Sequence, residues 1–268
     1  PRNFFHWTEL IQSSTEAIDE SVKSVSGGGY RKCNILVHEL RFCPMKRNRG
    51  GERDLDHIIM SGIWGLDRAI LEYPQVKAGL ILMMDRMLTF EQNQVIVKKA
   101  IKYKSQGIIG IDLAGPNRKS FSMKKHAPLF AQARKAGLGL TVHTGEEAQL
   151  DEMRFVVKVI RPDRIGHGVQ CVKDKPLMRE ISRAGITLEI CPTSNLRNSV
   201  IKNTAGVKKT IRALLKNKIK FSISTDGPEM YTTNIYKEYD FLLKNRILSQ
   251  KELDQTIKWG MEASFIKN

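Results

Sequence analysis

The sequence predicts an α/β protein, a (β/α)8 barrel of the TIM type, and three observations predict it. Short Ile/Val/Leu-rich runs alternate with helix-length amphipathic stretches along all 268 residues. Strand–helix alternation of this kind gives a parallel sheet covered on both faces. No glycine-rich phosphate loop follows any of the runs, which argues against an open dinucleotide-binding sheet. Polar residues close several different runs: Asp112, His143, His167, Asn195 and Asp226. A barrel brings such strand ends to one mouth, where chemistry sits, whereas distant strands of an open sheet cannot meet.

The elements follow in order. Thr8–Ser26 reads as a helix. The expected strands are Asn34–Phe42, Lys77–Met84, Ile108–Leu113, Leu138–His143, Arg164–His167, Ile186–Cys191 and Lys220–Thr225. Each is short and nearly continuous in apolar character, as buried parallel strands are. Leu55–Glu72 places Leu55, Ile58, Ile59, Ile63, Leu66 and Ile70 close to helical period. Asn93–Tyr103, Phe121–Lys135, Leu150–Ile160, Pro176–Arg183 and Val207–Leu215 read the same way. Gly107, Gly137 and Gly185 each stand between a helix and the next strand, where a left-handed cap is commonly needed. This gives seven strands where the barrel needs eight, so the first strand is expected to be missing from the chain. The expectation is one barrel domain over residues 1–268, lacking its first strand.

Composition narrows the class. The chain carries 44 Lys+Arg against 28 Asp+Glu, a net charge of +16. Its basic stretches, Lys46 to Arg53, Lys124–Lys125 and Lys216 to Lys220, are short and lack the interleaved aromatics of a single-strand binding platform. The charge therefore reads as a solvated surface, and a nucleic-acid partner is not expected. No apolar run reaches the roughly 20 residues of a membrane span. Cys33, Cys43, Cys171 and Cys191 form no C-x-x-C pair and are too sparse for a disulfide scaffold, so a reducing, cytoplasmic compartment is expected.

The strand ends carry the chemistry. In Val142-His143-Thr144-Gly145-Glu146 an imidazole ends an apolar run, and a carboxylate follows three residues later. A neutral imidazole is a good zinc ligand, and the glutamate could serve as an acid. In Arg164-Ile165-Gly166-His167-Gly168 the flanking glycines are expected to let the backbone bend sharply and leave the ring uncovered. In Ile223-Ser224-Thr225-Asp226-Gly227-Pro228-Glu229 an aspartate ends a run, although Asp-Gly is also an ordinary turn dipeptide. Asp112 lies inside an apolar run, where a charge is costly unless paired. Accepting the second N–H of a ligand histidine would pair it. Gly115 could offer a backbone N–H to a ligand.

Taken together and in order, IDLAG, VHTGE, RIGHG, EICPTSN and STDGP resemble the adenosine deaminase family of zinc aminohydrolases. Glu39-Leu40-Arg41-Phe42-Cys43-Pro44 resembles that family's early E-x-R-aromatic-x-P strand. The resemblance implies hydrolytic deamination of a 6-aminopurine nucleoside, adenosine to inosine plus ammonia, with one Zn2+ per subunit. It implies that His143 ligates the zinc and that Asp226 binds it while holding the attacking hydroxide. Glu146 would donate a proton to purine N1. His167 would orient or deprotonate the zinc-bound water, and the Gly115 N–H would contact purine N3.

Two departures qualify what it implies. The family's metal site takes a His-x-His pair on the first barrel strand, yet none of His6, His38, His57, His126, His143 and His167 lie two apart. The pair is expected upstream of Pro1, and the resemblance implies a single metal-dependent hydrolase barrel domain over residues 1–268, incomplete at its N-terminus and shortened at its C-terminus. Gly227 stands where common adenosine deaminases have a second aspartate, which hydrogen-bonds at purine N7; Glu229 is the nearby carboxylate. The substrate alternatives are therefore adenine and an aminodeoxyfutalosine-like nucleoside. A catalytically inactive barrel kept for binding is the rival from another class.

Overall fold

The computed structural model describes residues 2–48, 52–147 and 150–266, with side chains from residue 6 onward. It divides into two compact units, Pro1–Leu140 with Phe265–Asn268, and Thr141–Ser264.

The first unit opens with α1 (Arg2–Ile11) and α2 (Thr15–Cys33). The expected Thr8–Ser26 helix is thus two helices. Ser14 is the reason: its side chain accepts the Ala17 N–H and restarts the helix as an N-cap. Then follow β1 (Val37–Phe42), α3 (Leu55–Glu72), β2 (Lys77–Asp85), α4 (Phe90–Lys102), β3 (Ile108–Ala114) and α5 (Met123–Lys135). β1 pairs with β2 and β2 with β3, all parallel. Leu80, Ile81, Leu82 and Met84 of β2 are fully buried, as are Ile58 and Ile59 of α3 and Ile96 and Val97 of α4. Gly65 lets α2 approach α3, because a Cβ there would stand 2.5 Å from the Asp19 carbonyl. Phe265 lies over Gly110 and Gly139, and its N–H donates to Glu39 Oε1 at 2.6 Å. Any side chain on either glycine would collide with that ring.

β4 (Gly139–Thr144) pairs through Gly139 and Leu140 with β3 in the first unit, and continues into the second. There it is followed by α6 (Leu150–Phe155), β5 (Arg164–His167), α7 (Lys175–Ala184), β6 (Thr187–Ile190), α8 (Pro192–Arg197), α9 (Thr204–Lys216), β7 (Phe221–Ile223), α10 (Pro228–Tyr231), α11 (Ile235–Lys244) and α12 (Gln250–Glu262). Again each strand is parallel to the next. Val142, Ile165, Leu188 and Phe221, one from each strand, are fully buried. Arg164 and Glu189, both buried, pair at 2.9 Å inside the unit, so neither charge is left bare. The stretch Leu150–Ile160 changes from α6 into a wider turn at Val156 and ends at Arg161, φ 51°.

The strand–helix alternation is that of a (β/α)8 barrel, with seven strands among the described residues. All seven predicted strands are present, with every end within three residues of the one expected. Gly107, Gly137 and Gly185 have φ of 106°, 78° and 68°, the left-handed geometry expected of them.

Candidate active site

Strands β4 to β7 each deliver polar groups at or just beyond their C-terminal ends, all within the second unit. His143 is the penultimate residue of β4, and its ring lies across Gly166 of β5. A Cβ on Gly166 would stand 2.7 Å from that ring. This glycine therefore makes room for an imidazole, where the sequence suggested a bend. His167 ends β5 with φ 59°, a left-handed conformation that costs a non-glycine residue on the order of 1–3 kcal/mol. Its ring meets His143 edge-on, with centroids 5.4 Å apart. The expectation that the His167 ring is uncovered is corrected: the residue is only 2% exposed. It is covered by the neighbouring imidazole and by Asn195, whose side-chain amide nitrogen lies 3.0 Å from His167 Nδ1.

The opposite ring nitrogen faces two carboxylates. His167 Nε2 is 3.8 Å from Glu146 Oε2 and 4.0 Å from Asp226 Oδ2. With the Asn195 amide donating to Nδ1, a neutral ring carries its proton at Nε2, towards those oxygens.

Each carboxylate is held in its own way. Glu146 sits on a loop that Gly145 opens, φ 66°, and that Gln170 fastens. The Gln170 backbone N–H donates to Gly145 O at 2.9 Å, and its side-chain amide donates to Glu146 O at 3.1 Å. Asp226 follows β7 with φ 61°. Ser194 Oγ donates to Asp226 Oδ2 at 2.7 Å. The Asn198 amide reaches that Ser194 oxygen at 3.4 Å and donates to Tyr231 Oη at 2.8 Å. Asn198 thereby biases the serine proton towards Asp226. Tyr231, buried, has its phenol pushed above its ordinary range, by desolvation first and also by the nearby Asp226 and Glu146 charges.

The sequence reading named His143, Glu146, His167 and Asp226, and the structure brings the four together. It did not find Ser194, Asn198, Gln170 or Tyr231. Ser194 was visible only as one small polar residue in EICPTSN, and Gln170 carried no signal at all, because its role is to hold a backbone.

The two residues expected in the first unit are Asp112 and Gly115. Asp112 is fully buried on β3. Its charge is compensated by Arg41 Nη1 of β1 at 3.0 Å, so the E-x-R strand supplies the pairing that its burial requires. Gly115 has φ 90° and lies against the Asp85 carboxylate, which a Cβ would meet at 2.6 Å.

One imidazole from His143 and one carboxylate from Asp226 suit zinc, which takes nitrogen and oxygen donors. Catalytic zinc usually has three protein ligands, so this pair fits part of such a site. Among the described residues there is no cluster of three or more His, Cys, Asp or Glu that could hold a metal by itself. His143→Ala should therefore abolish stoichiometric zinc binding, and wild-type zinc content in the variant would refute its ligand role.

A family model described as adenosine deaminase matches residues 6–268. An adenosine deaminase of Clostridium kluyveri is 30% identical over 234 residues, covering 87% of this chain and 66% of that protein. An adenine deaminase of Rhizobium leguminosarum bv. trifolii is 31% identical over 233 residues, covering 87% of this chain and 71% of that protein. The chain thus spans about two thirds of the length of these relatives. A zinc-bound amidohydrolase of Burkholderia ambifaria has the same fold, with a TM-score of 0.86 over 96% of this chain and 70% of that one, at 16% identity.

Proposed function

The chain belongs to the adenosine deaminase family, and from that premise we propose that it hydrolytically deaminates a 6-aminopurine, with adenosine the first candidate. The single observation that carries the reading is the meeting of Glu146 and Asp226 at Nε2 of His167, with His143 against the same ring.

The site fits a zinc ion held by His143 and Asp226 together with ligands outside the described residues. When bound, zinc makes water acidic enough to ionise near neutral pH. Every other part of the reaction falls to side chains. His167 orients the attacking water through its Nε2–H. Glu146 gives a proton to N1 as the ring carbon C6 becomes tetrahedral, which keeps negative charge from building on the ring. Ser194 occupies Asp226 Oδ2, so Oδ1 is the oxygen left for a ligand's role. One water is consumed: its oxygen becomes the 6-oxo group, one of its protons restores Glu146, the other leaves with the amino group as ammonia, and a 6-oxopurine remains. The supporting role of Asp112 and the contact of the Gly115 N–H with purine N3 belong to the same proposal.

No helix among the described residues is long and apolar enough to cross a membrane. The test is ammonia release by the full-length, zinc-loaded protein from a panel of adenosine, adenine and modified 6-aminopurine nucleosides. Turnover of at least one is expected. Failure with every member would leave the inactive-barrel reading in its place.

A further inference from the structure

Gly227 is not required by its backbone. Its φ is −106°, which any residue adopts. What its missing side chain leaves is space, and the end of a flexible methionine occupies it: a Cβ built on Gly227 would stand 2.1 Å from Met230 Cε and 3.5 Å from its Sδ. The methionine therefore fills the volume into which a residue-227 side chain would project, directly after Asp226. Met230 is half-buried, whereas the neighbouring Glu229 is exposed, and the Met230 thioether is a weak acceptor with no proton to give.

The orientation of a bound purine follows from the chemistry. The atoms flanking C6 are N1 on one side and, across C5, N7 on the other. Glu146 and Asp226 approach His167 Nε2 as two separate carboxylates. If Glu146 meets N1, then N7 turns to the Asp226 side, towards Gly227 and Met230. Asp226 Oδ2 is already committed to Ser194, and an ionised carboxylate cannot donate to N7, which is itself an acceptor.

We propose that the Met230 thioether forms the N7-side wall of the purine site, so that the site does not read N7 and accepts 7-deazapurine nucleosides as well as purine nucleosides. The inference rests on the deaminase reading, and it names a specificity that the reading leaves open.

The test uses products, which the enzyme does not consume. Binding of inosine and of 7-deazainosine to the zinc-loaded, full-length protein is measured by calorimetry, with ammonia release from adenosine followed in parallel. The expected dissociation constants agree within about threefold, because no hydrogen bond to N7 is lost. Weakening of tenfold or more for the deaza compound, with adenosine still deaminated, overturns this inference and leaves the deaminase reading standing. A protein that binds neither product overturns this inference, and the deaminase reading falls with it only if the whole 6-aminopurine panel also releases no ammonia. Met230→Gln supplies an amide donor at the same wall and should create a preference for inosine of roughly fivefold or more. An unchanged ratio in a folded Met230→Gln protein would remove Met230 from the wall.

Discussion

Glu146 and Ser194 show how much a single side chain does here. Glu146→Gln keeps the shape and the loop fastening by Gln170 but removes the transferable proton. Zinc content should stay at the wild-type level while kcat falls by about 10²–10⁴, and a near-normal rate would exclude Glu146 as proton donor. Ser194→Ala leaves Asp226 Oδ2 without its donor. Zinc affinity, read by competition with a chelator, should weaken by about tenfold, in the range found when the partner of a metal-ligating carboxylate is lost; unchanged affinity would show that Asp226 needs no such support. The cysteines mark the opposite case. All four are free and buried, and burial pushes the Cys43 and Cys171 thiols up to about 12. At pH 8 they should resist alkylation in the folded protein and react once it is unfolded, as mass spectrometry would show.

Strands align these side chains because parallel pairing fixes their register. His143 lies opposite Gly166, and Thr144 opposite His167. The register puts the His143 ring over the one β5 residue that has no side chain. Gly166→Ala should therefore displace the imidazole and cost most of the zinc binding, while the circular dichroism of the fold is retained. An alanine variant with full zinc content would show that the ring has room to spare. β1 illustrates a second property of an element, the cost of an ionisable group within it. Desolvation holds the His38 imidazole down to about 4, against the opposing hydrogen bond with the Ser26 backbone. The unfolded chain, with a histidine near 6.5, then binds more protons than the folded one between those two values. Stability should be complete above pH 6.5 and fall as pH is lowered towards 4. Replacing His38 with Gln should flatten that part of the profile in denaturant titrations.

At the scale of the whole molecule, the sequence alone carried the alternation of strands and helices, the seven strand positions and the four polar residues that close β4, β5 and β7 or the turns after them. These are legible because a buried parallel strand needs a continuous apolar run, and a charged or imidazole group at its end interrupts that run visibly. Gly227 was also legible, as a residue out of pattern. The tertiary structure decided what lies between those residues. Gly166 was read as allowing a sharp bend and is a space for a neighbouring ring, since the sequence shows that a side chain is absent but not what occupies its place. The same holds for Gly227 and Met230, and for Gly110 and Gly139 beneath Phe265. The break between α1 and α2, the anchoring of Glu146 by Gln170 and the Asn198–Ser194–Asp226 relay were not legible either. Each depends on which backbone atom or lone pair a polar side chain meets once the chain has folded. Periodicity reports burial, which is a property of one residue and its surroundings on average. Hydrogen bonds and close contacts are directional and pairwise, and only the folded geometry selects the pairs.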